Sequence, residues 1–554
     1  MFKEMKTKAL FASLLVVACA ITSQAQGYMD GIEFYKIGQY SNAKDLLERN
    51  LNNASTDKAE AYYYLGQVAL HQTDDDGNAK PDLAKAKEYF DKGVAANPKN
   101  PFNYVGLGAV ALKQGNKGGA GEAFKLAEKN AKKNPAVAIE MARAYYFADA
   151  TAYHKDIEKL KNNAFKWNQN DPNYYIFRGD EYADEEEWGK SAAQYETALL
   201  KDVDNVEAYV KFANTYFYVN RDLAVGKLEE LYQKQPNSAL VIRQLAEKYY
   251  EVNKSKKAAE YYGKYIEHPN HFAQDELRYA QLLFAAEKYQ ESLDIMNRLA
   301  DASTPGTSEN FFANRIALYD LVALEKWEEA VAQGKKFFAL PKNDRTPYNE
   351  HDYMRYASAL QQTGRAAEAV DAYEEAIRLV PDNLDLVRGL AESYAEKEDY
   401  DSAIKYQKRI IENENCDVND YFTMSMYYYY KAGTATDDAT KAQALAESRK
   451  YITKADELQP ESHVIVNHIA RLDKLAEGEN KGGALNSYQH LLRILDAKGD
   501  TGNKYDNYYK LAYNYLGFYN LKQGNKELAK EYYLKQLQHD PDNADLRNFI
   551  DNLK

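Results

Sequence analysis

Small residues return along this chain at a spacing that leaves few folds open to it. The series Gly31, Gly66, Gly108, Ala142, Gly179, Ala213, Ala246, Ala280, Leu318, Ala357, Ala391, Ser425, Ala470 and Gly517 marks one equivalent position, and five of its thirteen spacings are 34 residues. The rest run from 33 to 47, with the excess length in polar stretches. Around each anchor the same skeleton recurs. One unit reads Tyr353, Tyr356-Ala357 and Leu360, then Ala369, Tyr373 and Ala376, then Pro381. Another reads Tyr104, Leu107-Gly108 and Ala111, then Ala120, Phe124 and Ala127, and the last complete one holds Leu516-Gly517, Ala529, Tyr533 and Pro541. A unit of this length is two helices of about three turns joined by tight turns. The small anchor lets the first helix, A, approach the second, B, while the aromatic of B fills the space beside it. Seven residues past the anchor stand Gly38, Gly115, Asn220, Asn253, Gly364 and Gly524. Gly and Asn tolerate the left-handed conformation that ends a helix, so all six are expected at the A-to-B turn. Pro98, Pro236, Pro381, Pro460 and Pro541 punctuate the B-to-A turn.

The pattern resembles the tetratricopeptide repeat family. Leu107-Gly108, Ala120, Phe124 and Ala127, and again Tyr356-Ala357, Leu360, Ala369, Tyr373, Ala376 and Pro381, match its signature, and the resemblance runs over about residues 28–541. The units around Ala142, Leu318 and Ala470 depart from it. The fold expected is all-α, an α-solenoid forming a right-handed superhelix of antiparallel helix pairs, with about fourteen repeats. Leu546, Phe549, Ile550 and Leu553 recur at helical spacing and predict a C-terminal capping helix, which a solenoid needs to cover its last apolar face. The organisation read from the sequence is a leader over residues 1–25, an N-terminal array over 26–300 and a degenerate break over 301–345. A C-terminal array over 346–541 and the cap over 542–554 follow. Polar insertions at 72–82, 301–309, 341–349, 433–440, 477–483 and 497–506 are too short to be domains.

The leader has Lys3, Lys6 and Lys8, then an apolar run from Ala9 to Ile21, then Ser23-Gln24-Ala25, the small-x-small pattern of a signal-peptidase site. A second reading stands beside it: Val16-Val17-Ala18-Cys19 resembles a bacterial lipobox, which would place the cut before Cys19, leave a leader of residues 1–18 and acylate the cysteine. Both readings send the protein out of the cytoplasm, to the periplasm or outer membrane of a Gram-negative-type bacterium. No later stretch is long and apolar enough for a transmembrane helix. Apart from Cys19 there is only Cys416, so no disulfide is available to the remainder.

The chain carries a net charge of −13, of which the leader contributes +2, leaving −15. So acidic a surface repels phosphate backbones and argues against nucleic acid as a partner. No catalytic constellation, phosphate loop or zinc motif is present, so no enzyme activity, cofactor or metal is expected. His268 and His271 flank a Pro-Asn turn, and the acidic run at 74–78 lacks the terminal ligands of a calcium loop.

The resemblance implies a concave groove lined by positions 2, 5, 9 and 12 of the A helices. Carried over, position 5 gives Val210, Arg243 and Leu277, position 9 gives Asn214, Glu247 and Gln281, and position 12 gives Phe217, Tyr250 and Phe284. Phe422, Met426 and Tyr429 repeat the pattern further along. Amides and an arginine would hold a peptide backbone and a carboxylate, and the aromatics would hold side chains. Packing between neighbouring A helices is the other use of the same aromatics. The Lys/Asn/Arg clamp of chaperone-binding relatives is not found on any three successive A helices. The function expected is a non-catalytic protein-interaction scaffold of the cell envelope, binding proteins or peptides along the groove. The alternative is an outer-membrane-associated glycan or nutrient-binding lipoprotein of SusD-like type. That class shares the length and the acylated cysteine, but it has long irregular regions and exposed tryptophans, whereas Trp167, Trp188 and Trp327 here sit in helical contexts.

Overall fold

The computed structural model describes residues 27–73, 78–341, 345–477, 481–499 and 503–553. The expected leader, with Cys19 and both expected cleavage positions, lies outside the described residues. Among the described residues there are 29 helices and no strand, only an isolated bridge from Thr73 to Ala79. They fall into fourteen consecutive pairs and one terminal helix, with every anchor on the first helix of its pair. The all-α helix-pair solenoid is the observed fold. The weak-signature stretch around Leu318 is a regular hairpin too, Ser308–Ala323 against Trp327–Phe338, with Leu318 fully buried.

Helix starts are set by short polar side chains. Asn100, Asn134 and Asp171 each accept a backbone N–H of the following turn at 2.9 Å, and Pro101, Pro135 and Pro172 stand just after them. Proline is suited to that first helical position because it lacks the N–H that would be orphaned there. The anchor logic is visible at Phe90. A Cβ at Gly66 would lie 2.4 Å from Cε1 of that ring, and a Cβ at Gly106 of the next repeat only 2.2 Å from it. The ring is thus clasped between the A helix of its own repeat and the A helix of the next. Phe124 against Gly108, Tyr195 against Gly179 and Tyr533 against Gly517 repeat the contact with the anchor of the ring's own repeat.

The A-to-B turns hold one correction. Gly38, Gly115, Asn253, Gly364 and Gly524 have positive φ as expected. Asn220 does not. Its φ is −149°, and its side chain caps helix Arg221–Lys234 by accepting from the Leu223 N–H. Glu186, Glu287, Glu325 and Glu398, also seven residues past their anchors, take the left-handed conformation instead, with φ between 56° and 64°.

The chain divides into two compact units at Leu299 and Ala300. In the first, the opening hairpin (residues 27–36 and Tyr40–Asn50) packs on its neighbour and also on repeats far along the sequence. Phe34 is fully buried and meets Phe272 edge-on at 5.5 Å. Asn270 donates to the Asp30 carboxyl at 2.6 Å, Ser238 to Glu33 at 3.0 Å and Arg243 to Gln39 at 3.1 Å. The first unit therefore closes on itself over separations of more than 200 residues, where an open groove was expected.

In the second unit, Asn349 with Asp352 and Asp417 with Asp420 form reciprocal capping boxes that start helices Glu350–Gln362 and Val418–Thr434. Asp352 is fully buried and also receives Arg315 at 2.7 Å and Tyr319 at 2.8 Å. The terminal helix Ala544–Asn552 buries Ile550 with Ala529 and Tyr533 of the last repeat.

Candidate functional site

The expected groove residues fall on three successive A helices, Val206–Tyr216, Ala239–Glu251 and Asp275–Ala285, and the structure treats their registers differently. At position 5, Val210 is fully buried in the same core as Phe34. Arg243 spends its charge within the unit, bridging Asp275 at 2.9 Å, and Leu277 is part-buried. The opening hairpin meets this register at Arg243, which also donates to Gln39 at 3.1 Å. At position 9, Glu247 is held by Arg278 at 2.6 Å, while Asn214 and Gln281 are part-exposed and their amides meet no protein hydrogen-bond partner among the described residues. At position 12 a pattern emerges that the sequence did not show. Lys248 of the next repeat sits 4.4 Å over the Phe217 ring, and Arg278 of the one after sits 4.6 Å over Tyr250. Phe284 instead packs against Tyr289 at 5.4 Å. Each cation–π contact of this kind contributes about 0.5–1 kcal/mol at an exposed site. Tyr250 remains 39% exposed.

Beside this track the first unit encloses a cavity of about 640 Å³. One wall is aromatic. Tyr35 meets Tyr64 at 5.2 Å and Tyr40 at 5.7 Å, Tyr40 stacks on His71 at 5.3 Å, and His71 meets Phe147 at 4.9 Å. The other wall is a ladder of alternating charge. Tyr63 donates to Glu140 at 2.8 Å, and Arg143 lies 3.4 Å from Glu140 and 2.9 Å from Asp180. Lys211 joins Asp180 at 2.8 Å to Glu207 at 2.9 Å, and Lys36 of the opening hairpin reaches Glu207 at 3.9 Å. Tyr195 donates to Asp180 as well, at 2.8 Å. Three cations and three carboxylates therefore neutralise one another inside the wall.

The electrostatics follow from that arrangement. Burial opposes charge on Glu207, but Lys211, then Lys36 and Arg143, overcome it and hold the carboxyl down at about 2. Burial likewise works against the Arg143 cation, yet Asp180, Glu140 and Glu207 raise its pKa. Desolvation pushes the Tyr35 and Tyr64 phenols well above their ordinary value, and it lowers His71, which stays neutral at pH 7. A neutral His71 whose Nδ1 sits 2.8 Å from the Gln67 carbonyl must carry its proton there, which leaves Nε2 as an acceptor. Of the cavity residues, Gln67, Arg143 and Asp180 occupy position 9 of their repeats and Tyr35 position 12, so the same register extended to earlier repeats would have named them.

In the second unit Phe422 and Tyr429 each meet His468 edge-on at 5.3 Å, Arg471 lies 5.1 Å over Tyr429, and Met426 is part-exposed. Phe422 also lines a cleft of about 420 Å³ with Val418 and His463. Ser425 and Ser448 exchange hydroxyl bonds to each other's carbonyls at 2.9 Å, so His468, 3.0 Å from the Ser425 hydroxyl, donates through Nε2. Burial lowers His468 to about 4. Among the described residues no three His, Cys, Asp or Glu side chains gather as a metal site, and no helix is long and apolar enough to cross a membrane.

The tetratricopeptide repeat family model matches residues 28–101 and 356–415. The chain matches no curated protein. Among solved structures it is similar to the C-terminal part of a TPR repeat-containing protein from Cytophaga hutchinsonii, at 20% identity over 49% of this chain and 98% of that one, with a TM-score of 0.40. It is also similar to a thermophilic TPR protein of Thermus thermophilus, at 19% identity over 37% of this chain and 98% of that one, with a TM-score of 0.27.

Proposed function

We propose that this chain, which matches the tetratricopeptide repeat model over residues 28–101 and 356–415, is a non-catalytic scaffold of the bacterial cell envelope that seats segments of partner proteins on the first unit. The observation that carries the reading is the track along positions 9 and 12. There Phe217, Tyr250 and Phe284 stay part-exposed, two of them under a cation from the following repeat, beside the unpartnered amides of Asn214 and Gln281. Rigid helices hold these groups in place before binding, so little ordering entropy is lost when a segment docks. Aromatic faces supply most of the affinity, and the amides fix the register of a peptide backbone.

The leader supports export, with Cys19 either removed or acylated as a lipid anchor. The SusD-like alternative calls for long irregular regions, whereas the described residues form helix pairs throughout. The test of the scaffold reading is crosslinking and affinity capture from native cells with the wild type and with Phe217→Ala, Tyr250→Ala and Phe284→Ala combined. Captured partners should be lost while the far-ultraviolet circular dichroism is unchanged. Equal capture by the triple variant would assign these rings to packing between repeats. Fractionation with a Cys19→Ser variant decides the anchor: membrane association that depends on Cys19 supports acylation.

A further inference from the structure

The cavity of the first unit holds more hydrogen-bonding capacity than the protein itself uses. Gln67 is 6% exposed, lines the cavity, and its side-chain amide has no protein partner. The hydroxyls of Tyr35, Tyr40 and Tyr64 have none either. Gln67 is buried and the three tyrosines are half-buried, so a cluster of such groups left unbonded by the protein around an open volume marks a place where a ligand can supply the bonds.

What would supply them is narrowed by the rest of the wall. An ion fits poorly, because Lys36, Arg143 and Lys211 are already matched by Glu140, Asp180 and Glu207, and a charged ligand would have to break that ladder. A purely apolar ligand would stack on the rings but leave the amide and hydroxyls unpaired. A long peptide meets an obstacle at one side, where Lys36 and Glu207 join the opening hairpin to helix Val206–Tyr216. A neutral molecule rich in hydroxyls, with C–H faces that pack on aromatic rings, satisfies every constraint. The volume lies within the range of about 300–1,000 Å³ typical of small-molecule sites.

We propose that the cavity bordered by Tyr35, Tyr40, Tyr64, Gln67 and Arg143 is a binding site for a neutral mono- or disaccharide. The tyrosine hydroxyls and the Gln67 amide bond the sugar hydroxyls, and the rings cover its apolar face. These residues lie in earlier repeats than the track of Phe217, Tyr250 and Phe284, and the site does not rest on the scaffold reading.

The test uses the chain lacking only the leader, titrated calorimetrically with maltose, cellobiose, xylobiose and chitobiose, and with a mixed tetrapeptide pool. At least one disaccharide should bind saturably with a Kd below about 1 mM. Tyr35→Phe and Tyr64→Phe, which keep the ring and remove only the hydroxyl, should each weaken that binding by about threefold to tenfold with an unchanged melting temperature. Tyr232→Phe, outside the cavity, should leave it unaltered. The proposal fails if none of the four sugars binds, if the peptides bind in their place, or if both cavity variants bind the sugar as the wild type does.

Discussion

Seven residues past the anchor, the backbone of nine repeats turns left-handed, at Gly38, Gly115, Asn253, Gly364 and Gly524 but also at Glu186, Glu287, Glu325 and Glu398. An L residue with a Cβ pays about 1–2 kcal/mol for that conformation, and glycine does not. Each of the four glutamates is solvent-exposed. Changing any one of them to glycine should therefore raise the free energy of unfolding of its unit by about 1 kcal/mol in urea titrations, and Gly115→Ala should lower it by a similar amount. The glycine turns were legible in the sequence because glycine advertises its conformation. The glutamate turns were not, because packing of the two flanking helices imposes a conformation that Glu does not favour. Asn220 misled for the related reason that asparagine serves equally as a left-handed residue and as a helix cap, and here its side chain reaches the Leu223 N–H.

Helix pairs were the most readable level, since the clasp around an aromatic such as Phe90 needs small residues at fixed distances on both sides. The opening hairpin is different. Its local sequence predicts one more repeat, and nothing in it announces Phe272 or Asn270 as neighbours. Truncating Phe34, fully buried, to alanine should cost about 3–5 kcal/mol in the first unit. The docking also carries a pH signature. Asp30 is 1% exposed, and burial, then Glu33, push its carboxyl up from 3.8 to about 8. An acid with a raised folded pKa contributes stability that is complete below its unfolded value and lost as the pH rises through its folded value. Glu207, lowered from 4.5 to about 2, works the other way, and its contribution is lost as the pH falls through about 2. Together they place the highest stability of the first unit near pH 4–5, with a decline toward pH 8. Thermal melts of a Trp327→Phe variant read this unit alone, because Trp167 and Trp188 both lie in it. Asp30→Asn should flatten the alkaline decline and spare the acid one.

At the scale of the whole molecule, a repeat array is expected to fray at both termini, since each end repeat lacks one neighbour. The two ends here are finished differently. The last repeat is covered by Ala544–Asn552, a helix with one fully buried side chain, Ile550. The first is bonded to residues 238, 243 and 270. Native-state hydrogen exchange should accordingly show residues 40–50 protected as strongly as the middle of their unit and residues 544–552 exchanging early. Rapid exchange at 40–50 would contradict the docked hairpin. Closure of this kind escapes sequence reading because it depends on small rotations summed over many repeats, and the period reports only which helix packs on the next. The cavity shares that origin, since its ladder ends on Lys36, which reaches Glu207 only when the unit has closed.

A contact between Asp30 and Asn270 spans 240 residues, and this sets a clock on biogenesis. At a synthesis rate of about 5–20 residues per second, the nascent opening hairpin waits roughly ten to fifty seconds before its docking site leaves the ribosome. Through that interval the Phe34 face is bare, and most of the first unit's neighbour-to-neighbour folding is already free to proceed. The final step is then a high-contact-order event, slower than the local helix pairing that precedes it.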